Sequence, residues 1–195
     1  MAPKPKSASW ITDTIVTLIK EAALVNALRR VSAQYYDIDF KVSVSDYKTK
    51  QILTNEELLN LKSTDAITLS VENTGELPFY LSLINVASNN KINVASEQAK
   101  AYFQPGQKKN IASFGLSDIG IDQYIFVAST DFIDLKPFEG LGSDLSKSTR
   151  GSIGGNFFTN YINDNVAGTR GKQIDEAEIT IKSIEFDVKE NDKNK

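Results

Sequence analysis

Three features of the sequence predict a mainly β fold, an immunoglobulin-like two-sheet sandwich of about eight strands preceded by one amphipathic helix. The hydrophobic period changes from three-to-four to two at Tyr36, and short alternating runs follow at a spacing of about 8 to 12 residues. Pairs of turn-forming residues separate those runs, as in Asn73-Thr74-Gly75 and Pro105-Gly106.

Residues 1–9, with Pro3 and Pro5, read as a disordered lead-in. The helix is expected over 10–32, capped by Ser9. Ile11, Ile15, Leu18, Ile19, Ala22, Val25 and Leu28 recur on one stripe, opposite Asp13, Lys20, Glu21 and Arg29. Such a stripe has to be covered, either by the helix's own domain or by another domain or subunit. On the second reading Ile11, Ile15, Leu18, Ala22 and Val25 form a partner-docking face.

The sandwich is expected over 33–188. Tyr36, Ile38, Phe40, Val42 and Val44 alternate with polar residues, the pattern of a strand with one dry face. Thr54 and Glu57 precede Leu58 in the order of a capping box, although an irregular crossover fits the segment as well. Ile67, Leu69 and Val71 alternate against Thr68, Ser70 and Glu72. The run from Phe79 to Val86 is apolar on both sides and predicts a strand covered on both faces. Ser88-Asn89-Asn90 predicts a hairpin tip before Ile92 and Val94. Gln104-Pro105-Gly106-Gln107 predicts a type II turn leading into a strand from Ile111 to Phe114. Tyr124 to Ala128 reads as another buried strand. In the last strand Ile179 and Ile181 share one face while Ile184, Phe186 and Val188 share the other, so a bulge near Lys182-Ser183 is expected to turn all five inward. A glycine-rich insertion at 140–171 holds seven of the eleven glycines and is either functional or disordered. Residues 189–195 read as a frayed tail.

Composition removes several chemistries. The 195 residues include neither cysteine nor histidine. Imidazole-activated nucleophiles, zinc fingers, histidine-ligated haem, disulfides and thiol redox chemistry all require one or both. With 22 Lys+Arg against 25 Asp+Glu, no basic excess is present to release counterions from nucleic acid. The densest apolar stretch, 11–31, is interrupted by Asp13, Lys20, Glu21, Asn26, Arg29 and Arg30, far from the ~18 to 20 apolar residues of a membrane span. The sequence reads as soluble, with the cytoplasm as default compartment, while export of a larger precursor stays open.

Carboxylate chemistry needs no histidine. Asp118 with Asp122 and Asp131 with Asp134 flank the strand around Phe126, and turn positions favour aspartates bonded to the local backbone over a catalytic dyad or calcium site. Asn163-Asp164-Asn165 lacks the spacing of a calcium loop, and Gly-Ser-Ile-Gly-Gly at 151–155 lacks the lysine of a phosphate loop. No catalytic residue, metal or cofactor is therefore expected. Tyr35, Tyr47, Tyr102 and Tyr161 are candidates for a sugar-stacking platform, against the alternative of covering strand edges.

Residues 65–86 (DAITLSVENTGELPFYLSLINV), the FQPG at 103–106, and 120–134 (GIDQYIFVASTDFID) resemble a bacterial domain-of-unknown-function family commonly found C-terminal to caspase-like peptidase domains. The resemblance spans roughly residues 24–140, including the Leu24–Arg30 helix where peptidase and sandwich would join. It implies a non-catalytic accessory module with a protein partner, a caspase-like peptidase domain or an assembly subunit, contributing contacts or regulation. The peptidase domain itself is absent, and the glycine-rich insertion departs from the family pattern. If that partner is specific for basic residues, Arg150 and Arg170, each in a Thr-Arg-Gly triplet, are natural cleavage positions. The alternative function is a stand-alone sandwich that binds a glycan or an assembly surface.

Overall fold

The structure, a computed structural model, describes residues 25, 26, 28, 29, 38–95, 101–130, 135 and 179–191. Among these are nine strands and one short helix: β1 (Phe40–Asp46), α1 (Asn55–Leu58), β2 (Leu61–Lys62), β3 (Ala66–Asn73), β4 (Phe79–Val86), β5 (Ile92–Val94), β6 (Ala101–Phe103), β7 (Lys108–Gly115), β8 (Gly120–Ser129) and β9 (Ile179–Lys189). They form two sheets. One has the order β1-β3-β7 and the other β2-β9-β8-β4-β5, with β6 also paired to β4. All pairs are antiparallel except β2 with β9. The fold is a mainly β, two-sheet sandwich.

The alternation of the sequence decides what faces inward. Phe40, Val44, Ile67, Leu69, Val71 and Ile111 of the three-stranded sheet meet Phe79, Leu81, Leu83, Phe126, Phe186 and Val188 of the other in one buried cluster. The outward side of the three-stranded sheet is small and polar. There the Thr68 and Ser113 hydroxyls lie 3.0 Å apart and Ser70 Oγ donates to Asn110 Oδ1 at 2.8 Å. Thr68 and Ser70 are themselves buried, so this side is polar in composition without being open to water at its centre.

The six-stranded sheet is dry on both sides. Ser82, Ile84, Val86, Ile92, Ile125, Val127 and Ile181 point away from the central cluster and are nevertheless buried. Val25 and Leu28, in helical residues, are buried too. Gln123 Nε2, rising from that same outer side, donates to Arg29 O at 3.4 Å, and Arg29 Nη2 donates to Ala87 O at 3.0 Å. The described helical residues therefore lie over the outer face of the chain's own six-stranded sheet.

This second layer corrects the expectation for the last strand. β9 pairs with β8 without a register shift from Ile179 to Val188, so there is no bulge at Lys182-Ser183. Ile181 needs no inward turn, because it buries itself beside Val127 on the covered outer face. The continuous register leaves Lys182 pointing inward, where its Nζ donates to Phe40 O and stands 4.7 Å from the Phe40 ring centroid. The sheet pairing does contain an irregularity, between Leu69 and Ser70 of β3 where it meets β7.

Local signals are realised where backbone chemistry alone dictates them. Thr54 and Glu57 form a reciprocal capping box at α1, which removes the crossover alternative. Gly106 adopts φ 72° in the Pro-Gly turn, closed by Gln107 N–H donating to Gln104 O at 3.0 Å. Asn90 takes φ 67° at the β4–β5 tip, a conformation asparagine tolerates better than most residues. The short strands β2 and β6 have too few residues to show a period and were not foreseen.

Candidate functional site

The sandwich has two ends. At one, Asn73, Phe40, Phe79 and Phe103 are neighbours. At the other, Gly120 pairs with Val188, which pairs with Leu61, and Leu116 N–H donates to Asp65 O beside Ala66 and Gly115. Loops 47–54, 63–65, 87–91 and 116–119 gather at this Gly120 end.

Among the described residues, the Gly120 end holds most of the exposed large apolar side chains. Tyr47, Ile52, Leu59, Ile119 and Ile121 are there, whereas only Leu77 and Tyr102 lie toward the Asn73 end. Ile119 and Ile121 are 56% and 48% exposed on either side of Gly120, whereas Ile38, Ile67, Ile84, Ile92 and Ile125 are at most 1% exposed. Gly120 itself has φ +120°, and a Cβ there would come within 2.8 Å of Ser88 Cβ. Glycine thus lets β8 start hard against the β4–β5 turn while its two neighbours project outward.

Asp118 and Asp122 frame the two isoleucines. The expectation that both aspartates bond their local backbone is corrected for Asp122: it lies within β8, and its Oδ1 accepts a hydrogen bond from Ser88 N–H, 34 residues away, at 2.6 Å. Asp118 stands exposed in the loop before β8. Burial pushes the Asp122 carboxyl above its ordinary value. The Ser88 N–H opposes this, Asp118 adds to it, and the Arg29 guanidinium, which also donates to Ile121 O at 3.5 Å, counteracts less than Asp118 contributes. Next to Asp122 the Asn85 side chain accepts from Asn93 Nδ2 at 3.0 Å and, by hydrogen bonding toward the Asp122 carboxyl, also opposes the rise of its pKa. Tyr124 continues the same face, stacked on Phe114 at 5.5 Å and tilted against Phe186 at 5.1 Å. Burial, followed by the Asp122 charge, pushes its hydroxyl pKa up.

These shifts carry a pH signature. Because the folded Asp122 carboxyl titrates above the ordinary 3.8, the native state binds more protons than the unfolded chain between those two values, and its ionisation costs stability as pH rises through them. Asp122→Asn keeps an acceptor for Ser88 N–H and removes the buried charge. The variant is expected to be more stable than the parent at pH 7, with the difference vanishing as pH falls toward 3.8. Urea midpoints of both chains across that range measure it. A parent that is the more stable at pH 7 would contradict the sign.

The other sequence candidates are not brought together here. Of the docking stripe the structure describes Val25, buried within the chain, while Ile11, Ile15, Leu18 and Ala22 lie outside the described residues, as do Arg150, Arg170, Asp131, Asp134, Tyr35, Tyr161 and the segments 140–171 and 163–165. Tyr47 and Tyr102 sit at opposite ends of the sandwich: Tyr102 neighbours Tyr80 at 4.8 Å, and the Tyr47 ring carries Lys50 Nζ 4.3 Å from its centroid. These two rings therefore form no common sugar platform. Among the described residues no three acidic side chains converge to hold a metal ion, and no helix is long and apolar enough to cross a membrane. Ile119 and Ile121 escaped sequence reasoning, although an Asp-Ile-Gly-Ile-Asp run at the start of a strand carries the signal: two large apolar residues beside a glycine, framed by charge.

Comparison with protein-family models, with curated proteins and with solved structures finds no match for this chain.

Proposed function

We propose that this chain is a non-catalytic protein-interaction module that docks a partner through the Gly120 end of its sandwich. The observation that carries the reading is that, among the described residues, five of the seven exposed large apolar side chains, Tyr47, Ile52, Leu59, Ile119 and Ile121, lie toward that end, with Ile119 and Ile121 on either side of Gly120, since large apolar side chains left in water are a common mark of a protein contact. An enzymatic role has little chemical support: the chain lacks histidine and cysteine, and among the described residues the one carboxylate with a raised pKa is held by the Ser88 amide. The order β1-β3-β7 against β2-β9-β8-β4-β5, with β2 parallel to β9, supports an immunoglobulin-like sandwich. The partner class, a caspase-like peptidase domain, rests on the resemblance of residues 65–86, 103–106 and 120–134.

The test is recovery of native partners with the tagged chain and with an Ile119→Asp/Ile121→Asp variant, alongside thermal melts of both. A Cys–His peptidase retained by the parent and lost by an equally stable variant is expected. A different partner lost in the same way would refute the peptidase assignment. Equal retention by the variant would refute the surface.

A further inference from the structure

The two sheets end in edge strands whose outward backbone groups meet different fates. On β1, Phe40 O accepts from Lys182 Nζ, Val44 O accepts from Leu53 N–H, and Asp46 N–H donates to Gln51 O. On β6, Tyr102 O accepts from Lys109 Nζ. The other edge of the three-stranded sheet, β7, has no such cover among the described residues. Asn73 N–H donates to Gln107 O and Leu116 N–H donates to Asp65 O, which turns the backbone of Gln107 and Leu116 toward β3. Counting inward from both, across the extra residue Ile111, leaves the N–H and C=O of Lys108, Asn110, Ser113 and Gly115 pointing away from β3. All four residues are exposed, and among the described residues nothing bonds to these backbone groups. An open ladder of this kind is a template for another strand.

We propose that the occupant of the β7 edge is β7 of a second copy of this chain, laid antiparallel about a two-fold axis between Ile111 and Ala112. The proposal is independent of docking at the Gly120 end. In that register Asn110 faces Ser113 of the second copy and Lys108 faces its Gly115, so the outward groups of all four residues meet outward groups. The extra residue selects this occupant. A straight strand has one residue where β7 has Ile111 and Ala112, whereas a second copy brings the same two and the ladder continues without a shift. The side chains agree. Ser70 Oγ already donates to Asn110 Oδ1, which leaves Asn110 Nδ2 to donate to Ser113 Oγ of the second copy, joining the Ser70–Asn110 row of one sheet to the Thr68–Ser113 row of the other. Gly115 gives the Lys108 stem room, and the lysines at 108 and 109 of the two copies stand at opposite ends of the ladder, away from their like charges. One short edge buries less than the ~1,200 Å² of a standard interface, so the dimer is weak and forms as concentration rises.

The experiment is sedimentation velocity on the full chain over a concentration series reaching millimolar, with amide hydrogen exchange at both ends of the series. The parent should pass from monomer to dimer, and exchange at Asn110 and Ser113 should slow as it does. A Cβ at Gly115 meets nothing within 4 Å, so a charge can be placed there without disturbing the fold. Gly115→Glu, set opposite Lys108 of the second copy, should tighten the dimer about threefold or more, and Gly115→Lys should weaken it by a similar factor. Ser113→Pro removes an outward N–H and no backbone bond to β3, and should leave a folded monomer, with thermal melts as the check on folding. A parent that is monomeric throughout overturns the proposal. So does a dimer indifferent to the sign of the charge at Gly115. A dimer lost in Ile119→Asp/Ile121→Asp but kept in Ser113→Pro also overturns it, and seats the second copy on the Gly120 end. Protection of Asn110 and Ser113 only after a different protein is added would assign the edge to that protein instead.

Discussion

Phe79→Ala is expected to cost about 3–5 kcal/mol, a large share of the ~5–15 kcal/mol that holds a domain folded. Phe79 is the middle ring of a row that joins the two sheets. Phe40, from the three-stranded sheet, lies 5.6 Å from it, and Phe103, its partner across β4 and β6, stacks at 5.1 Å with only 10° between ring planes. All three rings are fully buried. A lysine stands at each end of the row: Lys182 Nζ over Phe40 at 4.7 Å and Lys109 Nζ over Phe103 at 4.9 Å, the latter also donating to Tyr102 O at 2.7 Å. Removing the central ring opens a cavity between backbones that cannot close, and takes from both outer rings the partner that orients them under their cations. Phe79→Leu, which keeps most of the volume, should recover more than half of the loss. Urea denaturation measures both, and a fall in midpoint at unchanged slope is the expected form. A cost for Phe79→Ala below about 1 kcal/mol would mean that the row contributes no more than a surface contact.

Asn73→Ala is expected to cost about 2–4 kcal/mol although it removes no apolar volume. Asn73 is 0% exposed, at the end of β3 where the chain turns toward β4. Its Nδ2 donates to Leu77 O at 2.8 Å and more weakly to Phe103 O at 3.5 Å, and its Oδ1 accepts from Gly75 N–H at 3.0 Å. Its backbone is equally committed: Asn73 N–H donates to Gln107 O at 2.9 Å, and Gly106 N–H donates to Asn73 O at 3.0 Å. One amide thus joins the β3–β4 turn, β6 and the Pro-Gly turn before β7. Alanine removes the donor to Leu77 O and to Phe103 O and leaves Gly75 N–H with Asp39 O, 3.0 Å away, as its remaining acceptor. Asn73→Asp provides the discriminating comparison. Its carboxylate still accepts from Gly75 but cannot donate to Leu77 O, and it buries a charge. That variant should be strongly destabilised at neutral pH and recover part of the loss on acidification, when the protonated carboxyl regains a donor. A pH-independent loss equal to that of alanine would show that the two hydrogen bonds of Nδ2 are not what the position supplies.

The same residues separate what was legible in the sequence from what was not. Period-two alternation states which side of a strand packs on the apolar core, and Ile67, Leu69 and Val71 face it while Thr68 and Ser70, themselves buried, take the other side. Where a backbone needs a particular dihedral or a cap, the residue type announces it, as with Thr54 and Glu57 at α1 or Pro105-Gly106 before β7. The run of β4, with large apolar residues on both of its sides, likewise declares a strand covered on both faces. These signals are local, because each depends on the nearest few residues and on water.

Everything decided by long-range neighbours lay outside that reach. Alternation alone called for a bulge in β9. The structure keeps the register straight, because the outer face of the six-stranded sheet is dry and receives Ile181, which leaves Lys182 to find the Phe40 carbonyl and ring. Asp122 looked like a turn residue until the fold set it beside Ser88, Arg29 and Asp118, whose burial and charges no spacing rule contains. The candidate site is of the second kind. By itself the sequence determined that this is a mainly β chain without histidine or cysteine, with its turns, its capping box and its doubly covered central strand. Only the tertiary structure decided which residues that chemistry leaves exposed, because exposure and electrostatic environment are properties of neighbours in space, and an isoleucine such as Ile119 or Ile121 is left in water or buried by what the closing sheets bring beside it.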